Sequence, residues 1–365
     1  VLSLNVSIVL FLLFVFLLVL TLYATTVLLY VYGWHKKNNL SHISNSYKLP
    51  VTIVIALRNE AANLPFLLHS LQQQTYRNFE VLLINDHSDD HSESLFNQYA
   101  DSRFKWINAT AVGKKAAIKQ GVLLANTDII LTTDADVCLP ATWVESMVMA
   151  YHHSQAQLLI GPVAMQNATF FQQIDYFSIE GVTYGSANIG CPVLCSGANL
   201  AFSKSWYQQC LPYLKMNVLS GDDMFLLEAT KHLKGKVVAT KSPKATVHIN
   251  GCPTLASFIA QRTRWAGKAP HYTNFSICFT AGLVALTQVV CAVSLGLMAF
   301  SVWFLFVFLV KFVVDTLLIA SVAHYHSQLR QLWYYPLVAL LYPLYVLLIL
   351  VLTLFPQQWK KRALS

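Results

Sequence analysis

The sequence predicts an α/β domain with a mostly parallel sheet, flanked by one apolar helix on its N-terminal side and about three on its C-terminal side. Three observations carry this expectation. Of 365 residues 55% are apolar and only 12% are charged, against roughly a quarter charged in soluble domains, which excludes a simple soluble enzyme and a disordered chain. No Asp, Glu, Lys or Arg occurs at 1–34 or at 269–310. Between these stretches, β-branched runs alternate with helical patterns.

The first element is the apolar run at 6–32, longer than the roughly 20 residues that cross a bilayer. It lacks a basic leader and exceeds the roughly 7–15 residues of a signal peptide's apolar region, so it reads as an anchor within residues 1–34 rather than a cleaved signal. His35, Lys36 and Lys37 follow it, which by the positive-inside tendency puts the middle segment in the cytoplasm. Residues 51–56 (VTIVIA) read as a buried parallel strand. A helix is expected at 63–74, a strand at 79–84 (FEVLLI), a polar helix at 92–99, a strand at 104–107, a helix at 114–125 and a strand at 129–133. This order argues for successive βαβ units. The domain is drawn at 48–253. An interfacial helix follows at 254–272, then spans at 275–300, 302–323 and 333–355, and a basic tail at 356–365. Three C-terminal spans would leave Lys360, Lys361 and Arg362 outside; either one segment re-enters through Pro336 and Pro343, or the charge rule fails.

Residues 33–274 hold 20 Lys and Arg against 16 Asp and Glu. That balance is no nucleic-acid signature; it suits lipid headgroups or a phosphate-bearing substrate, with ordinary solubility an equal reading. Seven cysteines without a CxxC pair read as reduced packing residues.

In open α/β sheets ligands sit beyond the carboxyl ends of the strands. Three acidic groups fall there: Glu60 with Arg58 and Asn59, then Asp86 with Asp89 and Asp90, then Asp134 and Asp136. Helix capping explains any one of them, Asp90 for example, but not all three together. In an extended segment Asp134 and Asp136 point the same way and can share one hard cation, Mg²⁺ or Mn²⁺, completed by substrate phosphates. Lys114, at a helix start after Gly113, either faces a diphosphate or is a solvated helix end. Asp222 and Asp223 open another helical run, where the dipole favours an ionised carboxylate able to act as a base, and capping is the other reading. Residues 261–265 (QRTRW) lie on a short helix before the membrane, with Trp265 suited to an aromatic belt.

Together these stretches resemble the membrane-bound family 2 glycosyltransferases, inverting enzymes of the Rossmann-like GT-A fold that include cellulose, chitin and hyaluronan synthases and ceramide glucosyltransferases. The resemblance covers about 50–268. It implies that Asp86 contacts the nucleotide base, that Asp134 and Asp136 form the metal-binding Asp-x-Asp pair, and that Asp223 is the catalytic base. Gln261, Arg264 and Trp265 match the Gln-x-x-Arg-Trp motif, and 196–199 (SGAN) looks like the small-residue turn near the acceptor. Asp222 stands where the family usually has Glu, and Lys119 replaces an Asn. On this reading Glu60, Asp86, Lys114, Asp134 and Arg264 serve the donor, and Asn199, Asp222, Gln261 and Trp265 the acceptor. The implied partners are a nucleotide-sugar donor, a UDP-sugar by resemblance, a lipid or glycan acceptor and the bilayer of a bacterial inner membrane, with no nucleic acid. Few spans favour a lipid acceptor over a processive polysaccharide synthase. Two other classes stay open: a transporter, suggested by Lys311 and Asp315 four apart inside a span, and a non-catalytic accessory subunit, against which Asp223 argues.

Overall fold

A computed structural model of the chain describes residues 6–36, 48–99, 101–218 and 220–355, and the backbone alone at 357–359 and 362–364. The basic tail expected from Lys360, Lys361 and Arg362 lies outside the residues whose side chains are described. The chain divides into two compact units. One holds residues 37–167 and 194–251, the other 1–36, 168–193 and 252–363.

The helical elements are α1 (Val6–His35), α2 (Leu64–Gln72), α3 (Ser92–Tyr99), α4 (Lys114–Leu124), α5 (Trp143–Ser154), α6 (Phe170–Asn188), α7 (Lys204–Cys210), α8 (Asp222–His232), α9 (Leu255–Ala266), α10 (Phe275–Leu297), α11 (Trp303–Tyr325) and α12 (Tyr335–Leu352). The strands are β1 (Val51–Leu57), β2 (Phe79–Asn85), β3 (Phe104–Asn108), β4 (Ile129–Thr132), β5 (Val137–Cys138), β6 (Leu158–Ile160), β7 (Val163–Gln166), β8 (Leu200–Ser203), β9 (Val237–Ala239) and β10 (Val247–Asn250).

In the first unit β1, every residue of which is buried, lies inside a seven-stranded sheet of order β3-β2-β1-β4-β8-β6-β9. The continuous β-branched run is what a strand covered on both faces requires. Pairing is parallel from β3 through β4, and β8 alone runs antiparallel to both its neighbours, with Thr132 opposite Leu200. That reversal brings the start of β8, rather than its end, to the edge where β4 finishes. A smaller sheet, β5-β10-β7, adjoins it in the same unit. The loops after β1 and β2 are tied together: Asn59 Nδ2 donates to Asp89 at 2.6 Å, and the Ala61 and Ser92 N–H groups donate to Asp90. Burial acts to raise the Asp90 pKa, and the hydrogen bonds from Ser92 and Ala61 outweigh it, so this carboxylate lies below its ordinary range. Asp90 thus serves to join the two loops at the start of α3, one position before the helix cap.

Among the described residues the second unit contains four helices long and apolar enough to cross a membrane, Val9–His35, Phe275–Leu297, Trp303–Tyr325 and Leu329–Leu352. Pro336 falls in the first turn of α12, where its missing N–H breaks no hydrogen bond, and Pro343 lies inside that helix. Helix α6 belongs with these helices, not with the sheet, so the expected single domain at 48–253 is interrupted. The cause is close packing: a Cβ on Gly185 would fall on the Tyr30 carbonyl oxygen, and one on Gly33 would fall on the Gly185 carbonyl. Only glycine lets two helix backbones approach this far. Glu180 of α6 also meets His326 Nε2 at 2.8 Å. Within α11, Lys311 Nζ donates to Asp315 Oδ2 at 2.5 Å, and Asp315 Oδ1 accepts from the Tyr23 hydroxyl at 2.7 Å. The four-residue spacing in Lys311 and Asp315 does pair them on one face.

Candidate active site

Beyond the carboxyl end of the sheet, β4 ends at Thr132, and Ala135 and Asp136 form a turn. The extended geometry expected for the Asp-x-Asp stretch therefore stops at Asp134. Asp134 is half-buried, Ala135 buried and Asp136 exposed. Because β8 is reversed, the turn at 196–199 lies against this point: Thr133 Oγ1 donates to the Ala198 carbonyl at 2.8 Å. Helix α8 delivers the next groups. Gly221 caps it with φ of 89°, so the chain turns sharply and presents Asp222 and Asp223 in its first turn. Asp223 Oδ2 accepts from the Gly197 N–H at 3.2 Å, and its Oδ1 from the Met224 N–H at 2.7 Å.

Lys114 joins the two acidic groups. Its Nζ donates to Asp134 Oδ1 at 2.5 Å and lies 3.4 Å from Asp222 Oδ2. Burial works to lower its pKa, and the carboxylates of Asp134 and Asp222 more than reverse that, so it stands above the ordinary lysine value and stays protonated at neutral pH. Asp86 places this lysine. Its own carboxylate is buried, and Oδ1 accepts from the Gly113 N–H at 3.0 Å, tying the end of β2 to the start of α4.

The structure thus brings Lys114, Asp134, Asp222 and Asp223 together, with Asp86 beneath them and Asp136 on the exposed turn. Glu60 differs: its Oε2 accepts from Asn63 Nδ2 at 2.7 Å, inside the loop before α2. Asn199 is a correction to the expected acceptor contact. It is fully buried, with its amide donating to the Pro162 and Ala245 carbonyls at 2.8 and 2.9 Å and accepting from the Trp143 indole at 2.9 Å. Both amide hydrogens are used within the fold, and burial keeps the oxygen from any substrate. Gln261, Arg264 and Trp265 lie on α9 in the helical unit. Gln261 Oε1 accepts from Arg262 Nη1, and the Arg262 guanidinium sits 4.3 Å from the Trp265 ring centre.

Gly197 is the position that sequence reasoning undervalued. A Cβ there would lie 3.0 Å from Asp222 Oδ2 and 3.4 Å from Lys114 Nζ. Its place in a small-residue turn was the only signal. Gly197→Ala is expected to lower transfer by about 10- to 100-fold through misplaced charges while leaving the thermal midpoint within a few degrees. Initial rates and a melting curve on the same preparation check this.

Whether these residues suit a divalent cation can be tested on the donor set. Among the described residues no group of three or more His, Cys, Asp and Glu is arranged to hold a metal ion, so a fully protein-built cage does not fit. An open site does: the Asp134 carboxylate already attracts an ammonium, and Mg²⁺ or Mn²⁺ commonly takes one or two carboxylates and completes its shell with water and phosphate.

The glycosyl transferase family 2 profile matches residues 52–189, and the glycosyl transferase family group 2 profile matches 129–355. Poly-beta-1,6-N-acetyl-D-glucosamine synthase of Staphylococcus aureus is 24% identical over 224 residues, 59% of this chain and 53% of the synthase. Undecaprenyl-phosphate 4-deoxy-4-formamido-L-arabinose transferase of Aeromonas hydrophila is 34% identical over 107 residues, 27% of this chain and 33% of that enzyme. The chain thus matches about half of one relative's length and a third of the other's. In fold, it resembles a mannosyltransferase from Pyrobaculum calidifontis solved with GDP-Man and Mn²⁺, with a TM-score of 0.54 at 16% identity, over 85% of this chain and 97% of that one.

Proposed function

The chain belongs to the family 2 glycosyltransferases, and on that premise we propose that it moves a sugar from a nucleotide-diphosphate donor, a UDP-sugar, to a membrane lipid with inversion at the anomeric carbon. The observation that carries this reading is the meeting of Asp223 with Lys114, Asp134 and Asp222 around Gly197 at the carboxyl edge of the sheet. Transfer needs a base for the acceptor hydroxyl and positive charge for the departing diphosphate. Asp223 takes the hydroxyl proton as the acceptor oxygen bonds to the anomeric carbon. The bond from that carbon to the diphosphate oxygen breaks on the opposite face, and the nucleoside diphosphate leaves with the electron pair. Lys114, held protonated, attracts the diphosphate once it turns from Asp134. A divalent cation held by Asp134 and Asp136 would supply further neutralisation of the leaving group.

Four long apolar helices support a membrane-bound acceptor, and the basic residues after α1 support a cytoplasmic sheet unit. The test is incubation of membranes containing the protein with labelled UDP-sugars and Mg²⁺ or Mn²⁺, followed by separation of extractable lipid from insoluble polymer. Label in lipid that disappears with chelator is the expected result. Label in polymer would make the protein a processive synthase instead.

A further inference from the structure

The residue after Gln261, Arg262, belongs to one of the buried charge pairs of the helical unit. Arg262 is 5% exposed and Asp175 of α6 is 3% exposed. Arg262 Nε donates to Asp175 Oδ2 at 2.7 Å, and the other carboxylate oxygen accepts from the Tyr342 hydroxyl of α12 at 2.8 Å. The rings of Phe171, Phe258, Tyr342 and Tyr345 pack on one another beside the pair, with Phe258 4.7 Å from the guanidinium. Around this centre the guanidinium uses three separate surfaces. Its Nε edge meets Asp175, its Nη1 donates to Gln261 Oε1 at 2.5 Å, and its flat face lies 4.3 Å from the Trp265 ring.

We propose that Asp175 and Arg262 are positioning residues that together fix the side chains of Gln261 and Trp265 for the acceptor. This rests on the reading of those two residues as acceptor contacts. Gln261 and Trp265 are four apart and share one face of α9. A capping box between Thr254 and Ser257 fixes the start of that helix, so what remains to be set is the side-chain orientation. One guanidinium sets both, and Asp175 sets the guanidinium. A lysine could pair with Asp175 as a point charge but has neither the second donor edge nor the flat face. Stability alone is a poor reason for the arrangement, since a buried ion pair is often matched or exceeded by apolar residues of similar volume. The Tyr342 hydroxyl ties the same carboxylate to the last long apolar helix, so a shift of α12 would be felt at Gln261 and Trp265.

The test uses the full chain in lipid nanodiscs, with a labelled UDP-sugar panel and bacterial polar lipid extract as the acceptor probe. The variants are Arg262→Lys and the paired apolar replacement Asp175→Leu with Arg262→Met. In both, UDP binding is expected to stay within about twofold, and the lipid concentration giving half-maximal rate to rise about 10-fold or more. The fluorescence of Trp265, taken as each protein minus its own Trp265→Phe form, is expected to shift in position or intensity. A folded apolar pair with wild-type lipid dependence and unchanged Trp265 emission would overturn the proposal and leave a packing role. If the wild type transfers no sugar to lipid, the proposed function fails, and the Trp265 emission alone decides whether the pair positions the motif.

Discussion

Asp223→Asn is expected to reduce sugar transfer by about 10²- to 10⁴-fold, the range that a general base contributes, while UDP binding stays within about twofold. The substitution keeps the side chain's shape and leaves one oxygen to accept from either Gly197 or Met224, both of which donate to Asp223 now. What it removes is the capacity to hold a proton from the acceptor. A carboxylate in the first turn of α8 also favours the helix dipole, and losing that costs about 0.3–1 kcal/mol. The catalytic loss corresponds to about 2.7–5.5 kcal/mol of barrier, so the two contributions separate cleanly. Rates under saturating donor, calorimetric UDP binding and a melting curve distinguish them. If UDP binding falls in parallel with rate, Asp223 organises the site and is not its base.

Lys311→Met is expected to destabilise the helical unit by about 3–5 kcal/mol, the usual consequence of leaving one member of a buried pair behind. Lys311 is 5% exposed, and without its ammonium the Asp315 carboxylate keeps the hydrogen bond from the Tyr23 hydroxyl but loses its counter-charge. The double replacement Lys311→Met with Asp315→Leu should recover most of that loss. Thermal unfolding of the purified protein in detergent measures both. A double variant that regains stability but loses transfer would show that the charges serve function and revive a path for substrate through the helices. Recovery of both assigns the pair to helix assembly.

The sequence was legible where one local rule decides the outcome. The runs at 51–56, 79–84, 104–107 and 129–133 end within a residue of β1 to β4; for β1, β2 and β4 the reason is that strands covered on both faces leave a continuous apolar signature, whereas β3 is a half-exposed edge strand. A strand end marked Asp134 and helix starts marked Lys114, Asp222 and Asp223, each as a local pattern; that Asp222 and Asp223 meet the other two was implied by the resemblance alone. Direction was not legible. The four residues of β8 carry no sign of running against their neighbours, yet that reversal brings Gly197 to the site. Asn199 resembled a substrate residue because its turn does; its burial is set by Trp143, Pro162 and Ala245, all at least 37 positions away. Helix α6 escaped for a similar reason. Its membership of the helical unit depends on Gly181 and Gly185 meeting Leu318 and Tyr30, contacts that no composition change announces.

That membership has a practical consequence for handling the protein. The chain leaves the sheet unit after Asn167, contributes α6 to the helices, and returns at Leu194. A fragment trimmed at both ends to retain residues 48–253 would carry α6 without α1, α11 and α12, uncovering Tyr176, Phe177 and Tyr184, which are at most 5% exposed in the whole chain. Such a fragment should be sticky and prone to aggregate. A water-soluble catalytic piece requires splicing out residues 168–193 and bridging Asn167 to Leu194, which keeps the turn at 196–199, so solubility here is a question of internal surgery rather than of where the ends are cut.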